Sequence, residues 1–88
     1  MRHIAEKTLK EDLRVLAIRE RERMGLTQRQ MAERLMMSES SYSDIETGKA
    51  MCGTLTAVLL LAALEAPHLY LEGLTNLLRE CYEKAVLA

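Results

Sequence analysis

The chain has 88 residues, 49% hydrophobic and 28% charged, with one Pro, four Gly, three Tyr and neither Trp nor Phe. A chain this short buries little more than about 60% of its unfolded surface, which leaves room for one domain and favours oligomerisation. Twelve basic and thirteen acidic side chains give a net charge of −1; this apolar content excludes disorder, and the charge alone does not suggest a polyanionic partner.

Scarce Pro, Gly and aromatic residues argue against β-rich folds, and the periodicity is helical throughout. Residues 1–7 read as a frayed polar lead. Thr8-Leu-Lys-Glu11 has the form of a capping box, so the first helix is expected from about Thr8 to Met24. Its apolar face is Leu9, Leu13, Leu16, Ala17 and Met24, and Gly25 stops it. The run from Arg19 to Arg23 alternates in charge and reads as mostly solvated. Thr27 caps a second helix with Met31, Ala32 and Leu35 inside, running to about Met36. Ser38 caps a third, with Tyr42 and Ile45 turned inward, and Gly48 ends it. Two short helices so closely joined form a helix-turn-helix unit over about residues 27–47. A fourth helix follows from Thr54 to about Leu64. Pro67 starts a fifth that reaches about Leu87, with Gly73 as a weak point. The expected fold is all-α, with five helices, a main domain over 8–66 and a C-terminal helix over 67–88.

Catalytic and cofactor chemistry has no foothold in these residues. Cys52 and Cys81 lack metal-ligand spacing and read as reduced core thiols; His3 and His68 stand alone, in tail and surface roles. No nucleophile–base pair, metal set or phosphate loop is visible, so neither an enzyme nor a cofactor is expected. The longest apolar run, Ala57 to Leu64, falls far short of the roughly 20 residues of a membrane span. Met1-Arg2-His3-Ile4 lacks the apolar run of a signal peptide, which predicts a cytoplasmic protein.

Residues 9–64 resemble the Cro and lambda-repressor (XRE) family of helix-turn-helix proteins. The resemblance is carried by Gly25-Leu-Thr-Gln28, Ala32, Ser38 and Ile45-Glu46-x-Gly48-Lys49. It implies double-stranded DNA as partner, with the third helix in the major groove and the second crossing the backbone. Gln28 and Lys49 then occupy phosphate-contact positions, and Arg29 is either a further contact or a solvated residue. Glu39, Ser40, Ser43 and Asp44 become the base-facing positions. Arg21 and Glu46 take the places of a structural ion pair. Met36 stands where this turn usually has glycine, which predicts an altered turn or a non-glycine residue at positive φ.

The third helix, Ser38 to Thr47, contains no Lys or Arg, whereas DNA affinity comes largely from phosphate neutralisation. Acidic and hydroxyl readers are chemically possible, since carboxylates accept from cytosine N4. By segment, the net charge is +2 over residues 1–24, −1 over 25–49 and −2 over 50–88. Arg19, Arg21, Arg23, Arg29, Arg34 and Lys49 could flank the site if the fold gathers them. In the last helix Leu71, Leu74, Leu78, Cys81 and Ala85 recur at three and four, as a core stripe or a dimer seam. The fourth helix is apolar nearly all round and points to a partner. Two functions follow: a homodimeric transcriptional repressor on operator DNA, or an antitoxin-like module whose acidic third helix contacts a protein.

Overall fold

The computed structural model describes residues 1–87. Among them are five helices and no strand: α1 (Arg2–Arg23), α2 (Gln28–Arg34), α3 (Glu39–Glu46), α4 (Thr54–Ala62) and α5 (Pro67–Leu87). The core gathers Leu13, Leu16 and Ala17 of α1 with Met31, Ala32, Leu35, Tyr42, Ile45, Cys52 and Leu60. Ala32 is 2% exposed, and its small side chain lets α3 cross α2 closely.

The first helix starts at Arg2, so the polar lead and the Thr8 cap are not what forms. Thr8 is half-buried inside the helix, and Glu11 turns to Arg14 instead, accepting from its guanidinium at 2.6 and 2.9 Å. Two features accompany the extra turns. Arg2 pairs with Glu6 one turn on, at 3.1 Å, and Ala5 borders a hollow shared with Leu78, Cys81 and Ala85 of α5, far away in sequence. The expectation of a solvated run from Arg19 to Arg23 fails at Glu20, which is 7% exposed. Its carboxylate accepts from Arg23 at 2.7 Å and continues the Leu13–Leu16 stripe by one turn.

The first three helices end in the same way. In each, a residue in the left-handed conformation follows the C-cap and two amides fold back onto the last carbonyls. Gly25 (φ 67°) and Gly48 (φ 79°) do this without strain; between them Met36 (φ 57°) does it with a side chain. Met36 donates to the Glu33 carbonyl at 3.1 Å, and Met37 to that of Ala32 at 3.0 Å. The turn therefore keeps its usual path and places Met36 in the strained region. Since Met36 is 69% exposed, its side chain returns little packing. Met36→Gly is expected to stabilise the fold by about 1 kcal/mol, raising Tm by several degrees in a calorimetric scan. A lowered Tm would mean that the Met side chain matters more than its backbone strain.

α5 packs along α1, with the Tyr70 hydroxyl donating to the Asp12 carboxylate. No residue of 1–12 or 61–87 is fully buried, so the outer halves of α1 and α5 form a two-helix arm. This arm stretches the molecule to 44 × 28 × 18 Å. Cys52 belongs to the core, but Cys81 does not: it is half-buried on the arm. In α4 only Leu60 is fully buried, while Leu55 and Val58 are exposed.

Candidate nucleic-acid interface

Local sequence fixes the two helices of the unit. Thr27 accepts from the Gln30 amide at 3.1 Å while the Gln30 side chain accepts from the Thr27 amide at 2.9 Å, a complete capping box. Ser38 accepts from the Ser41 amide at 3.1 Å and starts α3. Tyr42 and Ile45 then face the core. The outer face of α3 presents Ser40, Ser43, Asp44 and Thr47, at helical spacing, with Glu39 at its first turn. Glu39 and Ser40 are fully exposed, and Ser43 and Asp44 are half-buried. Thr47 was not among the expected readers, although its position seven beyond Ser40 signals it. Its hydroxyl donates to the Ser43 carbonyl at 2.9 Å, leaving the methyl on the surface.

Glu46 ties three helices together. Arg21 of α1 grips it with two donors, Nε at 2.6 Å and Nη2 at 3.2 Å. Gln28 of α2 donates Nε2 to the same carboxylate at 3.1 Å. Burial pushes the Glu46 carboxyl up, but the hydrogen bonds around it prevail and hold it below the usual carboxylate range. Arg21 also donates to the Leu26 carbonyl at 3.1 Å, fixing the link between α1 and α2. Glu46 is therefore not a surface charge of α3. The other carboxylates of the helix are the exposed Glu39 and the half-buried Asp44, and α3 has no basic residue of its own to face them.

Gln28 stands at the start of α2, half-buried, with one of its two amide hydrogens given to Glu46 and the other unspent. Arg29 beside it is exposed and only loosely paired with Glu33, at 3.7 Å. Lys49 is exposed in the loop after α3; its amide donates to the Asp44 carbonyl at 2.8 Å, which orients the loop. The unit thus brings Gln28, through Glu46, beside the last turn of α3, just beyond which Lys49 lies in the chain. The other candidate flanking residues are not gathered. Arg19 lines a hollow between α1 and α5, Arg23 is held by Glu20, and Arg34 reaches the Met24 sulfur at 3.4 Å.

On α5, Leu74, Leu78 and Cys81 are half-buried, whereas Leu71 and Ala85 are exposed. Leu77 and Tyr82 are exposed as well, so the helix keeps an apolar edge beyond the one it lays on α1. Among the described residues, no group of His, Cys, Asp and Glu could hold a metal ion, and no helix is long and apolar enough to cross a membrane.

Five helices packed around a capped α2–turn–α3 unit define a helix-turn-helix domain. A family model described as Helix-turn-helix matches residues 18–71, more than half of the chain. The chain belongs to this Cro/lambda-repressor-like (XRE) family of DNA-binding transcription regulators. No curated protein and no solved structure matches it.

Proposed function

We propose that the protein is a cytoplasmic transcriptional repressor that binds operator DNA as a homodimer. The observation that carries this reading is the capped α2–α3 unit, with Gln28 bonded to Glu46 and Lys49 exposed just beyond α3, beside a hydroxyl-rich outer face of that helix. In this reading Gln28, Lys49 and Arg29 meet phosphates, while Glu39, Ser40, Ser43 and Asp44 face base edges. The second copy docks along α5 through the stripe of Leu71, Leu74, Leu78, Cys81 and Ala85. It reaches the stripe where Leu71 and Ala85 are exposed and the Leu77–Tyr82 edge adjoins it, while Leu74, Leu78 and Cys81 are half-buried within the chain. A helix of 21 residues with none fully buried supports such a two-fold seam.

Selection from randomised duplexes at low salt tests the DNA reading, and the mass in solution tests the dimer. Enrichment of a paired half-site is expected, with affinity falling steeply as salt rises. Lys49→Ala should weaken binding on all sequences and reduce the salt slope by about one, whereas Ser43→Ala should mainly shift sequence preference. A monomer at tens of micromolar would remove the seam.

A second reading is favoured by the carboxylates of the exposed Glu39 and the half-buried Asp44 on a helix face without Lys or Arg. There α3 meets a basic protein surface instead of DNA. Failure of any duplex to be enriched, together with a partner whose binding is lost on Glu39→Lys, would favour it.

A further inference from the structure

One face of α1 carries His3, Lys7, Lys10, Arg14 and Arg21, spaced four, three, four and seven residues apart. Such spacing keeps all five in one row along the helix. The inner end of the row is fixed against α3: Arg21 grips the Glu46 carboxylate, and Arg14 Nη1 donates to the Glu46 carbonyl at 3.2 Å. The row therefore lies on the α3 side of α1. Its outer members extend past the end of α3 onto the arm, outside the residues 18–71 that the family model matches. Lys7, Lys10 and Arg14 border a hollow that Gly48, directly before Lys49, closes on the other side.

The charge on this outer segment is unspent. Glu6 and Glu11, the carboxylates flanking it, are engaged by Arg2 and Arg14 at 3.1 and 2.6 Å. Among the described residues neither Lys7 nor Lys10 makes an ion pair. Lys7 is exposed and Lys10 half-buried, as a long side chain is when its stem lies along the surface. From Lys7 to Arg14 the row runs about 10 Å, the axial length of about three base-pair steps.

We infer that Lys7 and Lys10 are a second backbone-contact track, which extends the α3 interface along α1 onto the DNA flanking the bound half-site. This rests on the DNA-binding reading above. It places the missing positive charge of α3 on the neighbouring helix: α3 supplies selectivity with weak or adverse electrostatics, and the α1 row supplies phosphate neutralisation beside it.

The test compares the whole chain with Lys7→Ala/Lys10→Ala and Lys7→Arg/Lys10→Arg on a selected duplex. The duplex is used in two lengths, one trimmed to the half-sites and one with about one further helical turn on each side. On the longer duplex the alanine variant should lose about two from the salt slope per protomer and bind about tenfold more weakly near 0.1 M salt. The arginine variant should match the wild type there, and all three should converge on the trimmed duplex. An unchanged slope on the longer duplex overturns the track, as does an equal loss on both lengths, which would be a general charge effect. If the wild type binds no duplex at low salt, the DNA-binding reading fails first, and the track with it. Thermal unfolding of both variants should match the wild type, which separates contact from folding.

Discussion

Arg21→Ala is expected to lower the unfolding free energy by about 3 kcal/mol and Tm by on the order of 15 °C. The Glu46 side chain is 7% exposed, and Arg21 supplies the shortest of its hydrogen bonds, at 2.6 Å. Truncation of the arginine strands this carboxylate with Gln28 and opens the joint between α1, α2 and α3. Most of the loss comes from leaving a buried charge unpaired rather than from the intrinsic worth of the pair. Replacement of both partners, as in Arg21→Met/Glu46→Leu, should therefore recover much of the stability. Urea titrations of the single and double variants decide between the two accounts. If the double variant is as unstable as the single, the pair itself holds the helices.

The same comparison has a pH signature. Because the folded Glu46 carboxyl titrates below its ordinary value of 4.5, the contribution of the pair is fully present above that value. It is lost as the pH falls through the lowered value, where protonation removes the charge that Arg21 holds. The gap in stability between wild type and Arg21→Ala should thus be widest near neutrality and narrow as the pH falls below 4.5. A gap that stays constant throughout the acid range in which the protein remains folded would assign the loss to packing of the arginine stem.

Tyr42→Ala should cost about 4 kcal/mol, out of the about 4–13 kcal/mol expected for a chain of this length. Tyr42 is 0% exposed and is the largest side chain in the core, set on α3 where it meets α1. Its hydroxyl donates to the Ala17 carbonyl at a long 3.4 Å, and burial pushes its pKa well up. The ring carries most of the energy and the hydroxyl little, so Tyr42→Phe should cost under about 1 kcal/mol. Chemical denaturation gives both numbers. A Phe variant as damaged as the Ala variant would move the energy to the hydroxyl.

Much of the unit was legible because its signals are local. Thr27 and Ser38 as N-caps and glycines at 25 and 48 each act within four residues and form as read, while the Gln30 bond that completes the capping box at Thr27 was not foreseen. The extended α1 was not legible, because α1 packs along α5, and the α5 residues that border the same hollow as Ala5 lie over seventy positions away. Against them, a local motif at Thr8 was the stronger signal and the wrong one. Glu20 was hidden by its neighbours: in an alternating charged run, only its spacing from Leu13 and Leu16 gives away its burial. Among the site residues, the Arg21–Glu46 contact closes as the resemblance implied, and Gln28 joins it through a bond that spacing could not foresee. The α1 row was visible in the sequence as a net-positive segment. Its relation to α3 required the Arg14 and Arg21 contacts.

The Glu46 node has a consequence for how such a protein can diversify. Tyr42, Ile45 and Glu46 carry the structural duty of α3 on one side, and their partners lie in α1 and α2. On the opposite side, no side chain of Ser40, Ser43 or Asp44 makes a long-range hydrogen bond or ion pair among the described residues. Exchanges at such surface positions usually stay within about 0.5 kcal/mol of neutral. This outer face can therefore be rewritten almost independently of the scaffold beneath it, and under the proposed function a new target would need only a handful of exchanges on one helix face.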